Sequence, residues 1–221
     1  MAKRSKKNAR DLNRTRQNIL DAAAKEFAEH GLSGARVDVI SARARVNKAM
    51  IYYVFGGKED LHLAVLESLF EEKTKNLDNY ILAPNLSRQE FFVMLNNYFE
   101  AFLERKDYAR ILLSDIATGG KALHRLYKKR PELFKIFRQI SQLINESTSR
   151  GLIRKIDADK GLTLIILLIA VLACAFPLTD LVRPKGSVEY KNLSNPEKWK
   201  IFLAELLERI IFARSPGKIE R

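Results

Sequence analysis

The sequence predicts an all-α protein, and three observations carry that reading. Apolar residues recur at three- and four-residue spacing along nearly the whole chain. No segment shows the alternation of a half-buried strand, and no internal repeat is convincing. Capping residues, glycines and prolines cut the pattern into pieces of helix length. The layout is a small N-terminal unit of three short helices followed by six or seven longer ones.

The elements follow in order. Ile19, Ala23 and Phe27, with Leu20, Ala24 and Ala28, form one stripe over Arg16–His30, and Gly31 suits the position just past a helix end. Val37 and Ile40 open a second, short helix. Asn47 is a good N-cap for a third, which ends near Phe55 before Gly56-Gly57. A long helix is predicted from Lys58 to about Tyr80, with Leu61, Val65 and Leu69 inward and Leu66 and Phe70 on a flanking row. The Ser87–Glu90 spacing is a capping box and starts a helix over Ser87–Lys106. Asp107 caps a helix to Thr118, stopped by Gly119-Gly120. Further helices are predicted over 121–129 and 131–149, the latter opening on Pro131. Asp157 or Asp159 starts an apolar helix to about Val182. Residues 183–195 are a polar loop, and a last helix runs from about Pro196 to Arg214.

Composition narrows the function. The chain has 221 residues, a formal charge of +13 and one cysteine, Cys174. At this length folding can bury roughly 70% of the extended chain's surface, so the core needs no covalent staples. A lone thiol excludes an internal disulfide framework and a multi-cysteine zinc site, and fits a reduced, cytoplasmic setting. His30, His62 and His124 are too widely spread to suggest a metal cluster, and neither metal nor cofactor is expected. The charge is uneven: residues 1–58 carry a net +8 and residues 59–221 a net +5. Lys3, Arg4, Lys6, Lys7, Arg10, Arg14 and Arg16 face only Asp11 at the start, so residues 1–13 are expected to be a basic flexible arm. No apolar stretch follows that run, which argues against a secretory signal.

Leu162–Leu178 is 17 residues without a formal charge. A membrane span needs about 20 apolar residues. This run is shorter, contains Pro177 and has no second span beside it, so a buried helix is expected and no membrane partner. No glycine-rich phosphate loop, HExxH or nucleophile elbow is present, so catalysis is not expected.

The informative segment is Val37–Phe55, VDVISARARVNKAMIYYVF. Two short helices joined by a tight turn form a helix-turn-helix, which needs small or apolar residues where the helices cross. Ile40, Ser41 and Ala44 supply them from the first helix. Val46, Ile51 and Val54 supply them from the turn and the second. The second helix then turns Lys48, Ala49, Met50, Tyr52 and Tyr53 outward, where side chains reach base edges or phosphates. Adjacent Tyr52 and Tyr53 point about 100° apart, so one of them is expected to pack.

The stretch Arg14–Glu67 resembles the DNA-binding domain of the TetR (tetracycline-repressor) family of bacterial transcription regulators. ILDAAAKEFAEHG resembles the family's first helix, and VNKAMIYYVFGGKEDL its recognition helix and the start of its fourth. The match spans about a quarter of the chain; the remainder is similar to the family's C-terminal domain in layout only. Two positions depart from the family pattern. Arg45 stands where the turn usually has glycine, at a cost of roughly 1–2 kcal/mol if its backbone is left-handed. Ala35-Arg36 replaces a threonine pair, so the usual hydroxyl cap is missing.

The resemblance implies a helix-turn-helix DNA-binding domain over 14–57 and a helical effector-binding and dimerisation domain over 58–221. Asn47 would cap the recognition helix. Lys48 and Tyr53 would read base edges or adjacent phosphates, and Ala49 and Met50 would pack on a thymine methyl. Tyr52, Arg36 and Lys58 would hold phosphates, with Arg10 and Arg14 adding backbone or minor-groove contacts. A homodimer on a double-stranded operator is implied, joined by the last two helices through residues such as Leu168, Leu172, Phe202, Leu206 and Ile210. A small-molecule effector is implied too, with Phe70, Phe92, Tyr98, Phe102, Tyr127, Phe134 and Phe176 as candidate apolar lining. Asn96, Asp115, His124 and Cys174 are the candidate polar groups. The expected function is a repressor released by a small apolar or amphipathic ligand; the alternative is a regulator of the same fold controlled by a protein partner.

Overall fold

A computed structural model of the chain describes residues 2–77, 106–151, 157–175 and 196–211, with Gln89, Val93, Asn97, Glu100 and Arg154 individually. All regular structure among the described residues is helical. We number the helices α1 (Ala2–Gly34), α2 (Val37–Ala44), α3 (Lys48–Phe55), α4 (Lys58–Leu77), α5 (Lys106–Ala117), α6 (Lys121–Lys129), α7 (Lys135–Ser149), α8 (Ala158–Ala175) and α9 (Pro196–Ile211). Gln89, Val93, Asn97 and Glu100 are helical within the segment where the capping box predicts a helix. The predicted ends near Tyr80, Val182 and Arg214 lie outside the described residues.

The chain forms two compact units. One holds Met1–Glu72 with Asp107–Leu133, the other Lys73–Lys106 with Phe134–Arg221. This grouping differs from a division at residue 57, because α5 and α6 join the helix-turn-helix and the first part of α4.

In the first unit, α1 starts at Ala2 rather than after an irregular arm. No glycine or proline interrupts residues 2–30, and a helix once nucleated adds lysine, arginine and alanine at little cost. Gly31, at φ 63°, kinks α1 where the sequence predicts its end. Ile19, Leu20, Ala23 and Phe27 are buried, as are Ile40 and Ile51 of α2 and α3 and Leu61, Val65, Leu66 and Leu69 of α4. The turn between α5 and α6 is built on Asp115. This buried carboxylate accepts the backbone N–H groups of Ala122 (3.1 Å) and Leu123 (3.0 Å), which open α6 and have no partner within the helix. Asp115 thus caps the start of α6.

An ionic row ties α6 to α4. Arg125 reaches Asp60 (3.1 Å), and Lys129 reaches Glu67 (3.4 Å). Arg130, just past α6, pairs with Glu67, Glu132 and Glu71, the last at 3.0 Å, and these carboxylates hold its guanidinium more firmly protonated than usual.

Pro131–Phe134 is a 3-10 turn leading into α7, where the sequence predicts one continuous helix from Pro131. Helix α7 buries Ile140, Leu143 and Ile144 and packs against α8. Asp157 caps α8 by accepting the Lys160 N–H at 3.1 Å, one of the two starts that the sequence offers. Among the described residues no helix is long and apolar enough to cross a membrane. Helix α9 buries Leu203 and Leu207 but leaves Ile201, Phe202 and Leu206 exposed, and α8 leaves Leu164 exposed at 67%.

Candidate nucleic-acid interface

The helix-turn-helix is closed by backbone bonds. The Val46 N–H donates to the Ser41 carbonyl at 3.0 Å and the Arg45 N–H to the Ala42 carbonyl at 3.2 Å. That crossed pair is a Schellman ending, which requires a left-handed residue at its centre. Arg45 supplies it at φ 55°, ψ 43°, and is the one non-glycine with positive φ among the described residues. The geometry that glycine would adopt freely is therefore adopted by arginine.

Asn47 then caps α3, its side-chain oxygen accepting the Ala49 N–H at 2.8 Å. Ile40, Ser41, Ala44 and Ile51 are buried at the crossing, as the motif requires. Their burial leaves the opposite face of α3 in solvent. Lys48, Ala49 and Tyr52 are exposed there, Met50 is half-buried, and Tyr53 is 79% exposed. Neither tyrosine packs, contrary to the expectation that one would: Tyr52 is still 46% exposed. The reason is that Ile51 alone fills the inward position of that turn, and Tyr52 and Tyr53 both fall off its side.

Electrostatics set the side chains around this face. Lys48 Nζ lies 2.8 Å from Asp38 Oδ1 across the turn, and both groups are exposed. Their hydrogen bond lowers the Asp38 carboxyl below its usual range and raises the Lys48 ammonium. Arg36 is exposed at the start of α2 and its side chain makes no cap, consistent with the missing hydroxyl. Its backbone N–H donates instead to Glu26 Oε1 at 3.1 Å. Glu26 is 1% exposed, and Arg43 of α2 reaches its other oxygen at 3.3 Å and Glu29 at 2.9 Å. Glu26 thus fixes α2 on α1. Its position in the sequence carries the signal: it lies on the inward stripe with Ile19, Ala22 and Ala23, where a carboxylate must find a buried partner.

Lys58 is half-buried at the start of α4, and its Nζ donates to the carbonyls of Ser33 (3.2 Å) and Ala35 (3.1 Å). It latches α4 to the α1–α2 connection, a role the sequence does not disclose. Arg14 is exposed on α1, and Arg16 stacks on the Phe55 ring at 5.5 Å. Glu26, Glu29 and His30 bring possible metal-ligand atoms within 4.8 Å of one another, but Arg43 already engages both carboxylates.

The candidate effector residues are divided between the two units. Phe70 is buried in the first unit beside Tyr108, ring centroids 6.2 Å apart. His124 and Tyr127 are exposed rather than enclosed, because the buried row of α6 is Ala122 and Leu126. Phe134 and Phe137 meet in the second unit at 6.1 Å. Phe92, Asn96, Tyr98, Phe102 and Phe176 lie outside the described residues, and Cys174 is half-buried on α8. Of the candidate dimer residues, Leu168 is half-buried and Phe202 and Leu206 are exposed; the side chains of Leu172 and Ile210 lie outside the described residues.

Known proteins share this arrangement. Residues 19–65 match the family described as bacterial regulatory proteins, tetR family. The HTH-type transcriptional repressor NicS of Pseudomonas putida is 33% identical over 115 residues, 51% of this chain and 53% of that protein. An HTH-type transcriptional repressor of Streptomyces coelicolor is 51% identical over 59 residues, 27% of this chain and 31% of that protein. The chain therefore spans about half or less of the length of these two relatives. Among solved structures, a Streptomyces coelicolor regulator superimposes with a TM-score of 0.65 over 89% of this chain and 98% of that one, at 23% identity. The regulator FadR of Bacillus subtilis, solved in complex with stearoyl-CoA, superimposes with a TM-score of 0.62 over 86% of this chain and 96% of that one, at 18% identity. The helix-turn-helix segment is thus similar to the bacterial regulatory proteins of the tetR family, and the helical fold is similar to that of these solved regulators.

Proposed function

We propose that this protein regulates transcription by binding duplex DNA as a homodimer, with α3 of each copy in the major groove. The observation that carries the reading is the exposed, Asn47-capped face of α3, where Lys48, Ala49 and Tyr53 stand in solvent within a segment of net charge +8. A single short helix reads only a few base pairs, so selectivity calls for two copies about one DNA turn apart. The exposed Phe202 (52%) and Leu206 on α9 and Leu164 on α8 offer apolar surface for a second copy. Lys48 and Tyr53 would read base edges, Ala49 and Met50 a thymine methyl, and Tyr52, Arg36, Arg14 and Lys58 phosphates.

Repression by the two curated relatives favours a repressor here, and the stearoyl-CoA bound to FadR supports a small apolar or amphipathic effector. Such a ligand would release DNA by binding the released state better than the DNA-bound one. Binding of the purified protein to fluorescent operator-length duplexes, with and without long-chain acyl-CoA, tests both parts. Sequence-selective binding weakened by acyl-CoA is the expected result. Binding with no preference among sequences contradicts the reading.

A further inference from the structure

The proposed reading gives Lys48 to DNA, yet in the structure its ammonium is already held by Asp38 at 2.8 Å. Asp38 is in the first turn of α2 and Lys48 is the first residue of α3, so the pair bridges the two helices across the turn. Both side chains are about half in solvent. Exposed pairs of this kind are weak and exchange partners readily. A lysine aimed at phosphates has an obvious use. A carboxylate beside it does not, since it opposes every phosphate that approaches and cancels the charge that attracts one.

We propose that Asp38 is a specificity-setting residue of the DNA-reading face, holding the Lys48 ammonium in the free protein and yielding it only where the duplex presents a better acceptor. This rests on the DNA-binding reading above. Random duplex offers Lys48 mainly phosphates, and there the Asp38 charge is a penalty that nothing offsets. A cognate site that places a guanine O6/N7 edge opposite the start of α3 offers two acceptors in fixed positions. Lys48 then leaves Asp38 for the base, and the remaining carboxylate can accept from a cytosine N4 amino group. A repulsive element of this sort discriminates by weakening wrong complexes more than right ones. Arg36, the residue just before α2, places a second positive charge near Asp38.

The test compares wild type, Asp38→Asn, Lys48→Ala and the double variant, each as the full-length chain. Fluorescence anisotropy measures binding to a duplex selected by the wild type from genomic DNA and to a scrambled duplex, over a salt series. Thermal melts confirm that all four fold. Asp38→Asn is expected to tighten scrambled-duplex binding about fivefold and selected-duplex binding less, with a salt slope steeper by about one. The gain should largely vanish in the Lys48→Ala background. The proposal is overturned if the selected-to-scrambled ratio stays within twofold of wild type, or if Asp38→Asn gains as much without Lys48. A wild-type protein that binds no duplex overturns the DNA-binding reading itself, an outcome distinct from both.

Discussion

Replacing Arg45 by glycine should make the protein more stable. Arg45 occupies the left-handed region at φ 55°, ψ 43°, where the Schellman ending of α2 demands it. A non-glycine residue pays roughly 1–2 kcal/mol there. Glycine relieves that strain but adds backbone freedom to the unfolded chain, which takes back about 0.5–1 kcal/mol. The net expectation is a gain of about 0.5–1 kcal/mol, or a melting temperature higher by about 1–4 °C. Arg45→Ala is the control, since it removes the guanidinium and keeps the strain. Urea denaturation followed by helical circular dichroism gives the three stabilities. The order glycine above arginine, with alanine no better than arginine, is the prediction. Glycine and alanine of equal stability would show that the left-handed backbone is not the origin of the effect.

Three other changes test the contacts that hold the reading head. Glu26→Ala leaves the Arg36 N–H without its acceptor and should cost about 2 kcal/mol, while Glu26→Gln keeps an acceptor and should cost about half of that, both read by urea denaturation. Lys58→Met removes the latch onto the Ser33 and Ala35 carbonyls and should lower stability by about 1 kcal/mol as well as weaken DNA binding on all sequences; an unchanged melt would argue against the latch. His62 is 3% exposed, and its ring meets Phe27 edge to face at 4.8 Å. Burial pushes its pKa below the ordinary value of about 6.5, with the Asp115 carboxylate opposing the shift. The imidazole therefore protonates less readily in the folded chain than in the unfolded one. Its contribution is complete above about pH 6.5 and declines as the pH falls toward the folded value. Stability measured from pH 7.5 to 5 should fall in the wild type and fall less in His62→Gln.

Local structure was legible where a single residue type dictates it. Asn47, Gly56, Gly119-Gly120 and Asp157 mark helix ends by their own chemistry, and the 3.6-residue stripe of α1 needs no partner to be seen. The helix-turn-helix was legible because its crossing imposes small and apolar residues at fixed places. The contacts that tune it were not. Lys48 meets Asp38, Lys58 meets carbonyls some 25 positions away, and Arg43 meets Glu26, all through folding rather than spacing. The basic start of the chain reads as an arm because charge hides the absence of any helix breaker before Gly31. Tyr52 and Tyr53 could be placed on the outward side of α3, but that neither packs depends on Ile51 being the buried residue of that helix.

The central claim, that α3 reads DNA as one of a pair, is tested most directly by selecting bound fragments from fragmented genomic DNA with the purified protein and sequencing them. Enrichment of a two-fold symmetric motif, with half-sites about one helical turn or a simple multiple apart and lost in a Lys48→Ala/Tyr53→Ala variant, is the result expected. Recovered fragments indistinguishable from the input, or a motif that the variant still selects, would contradict it.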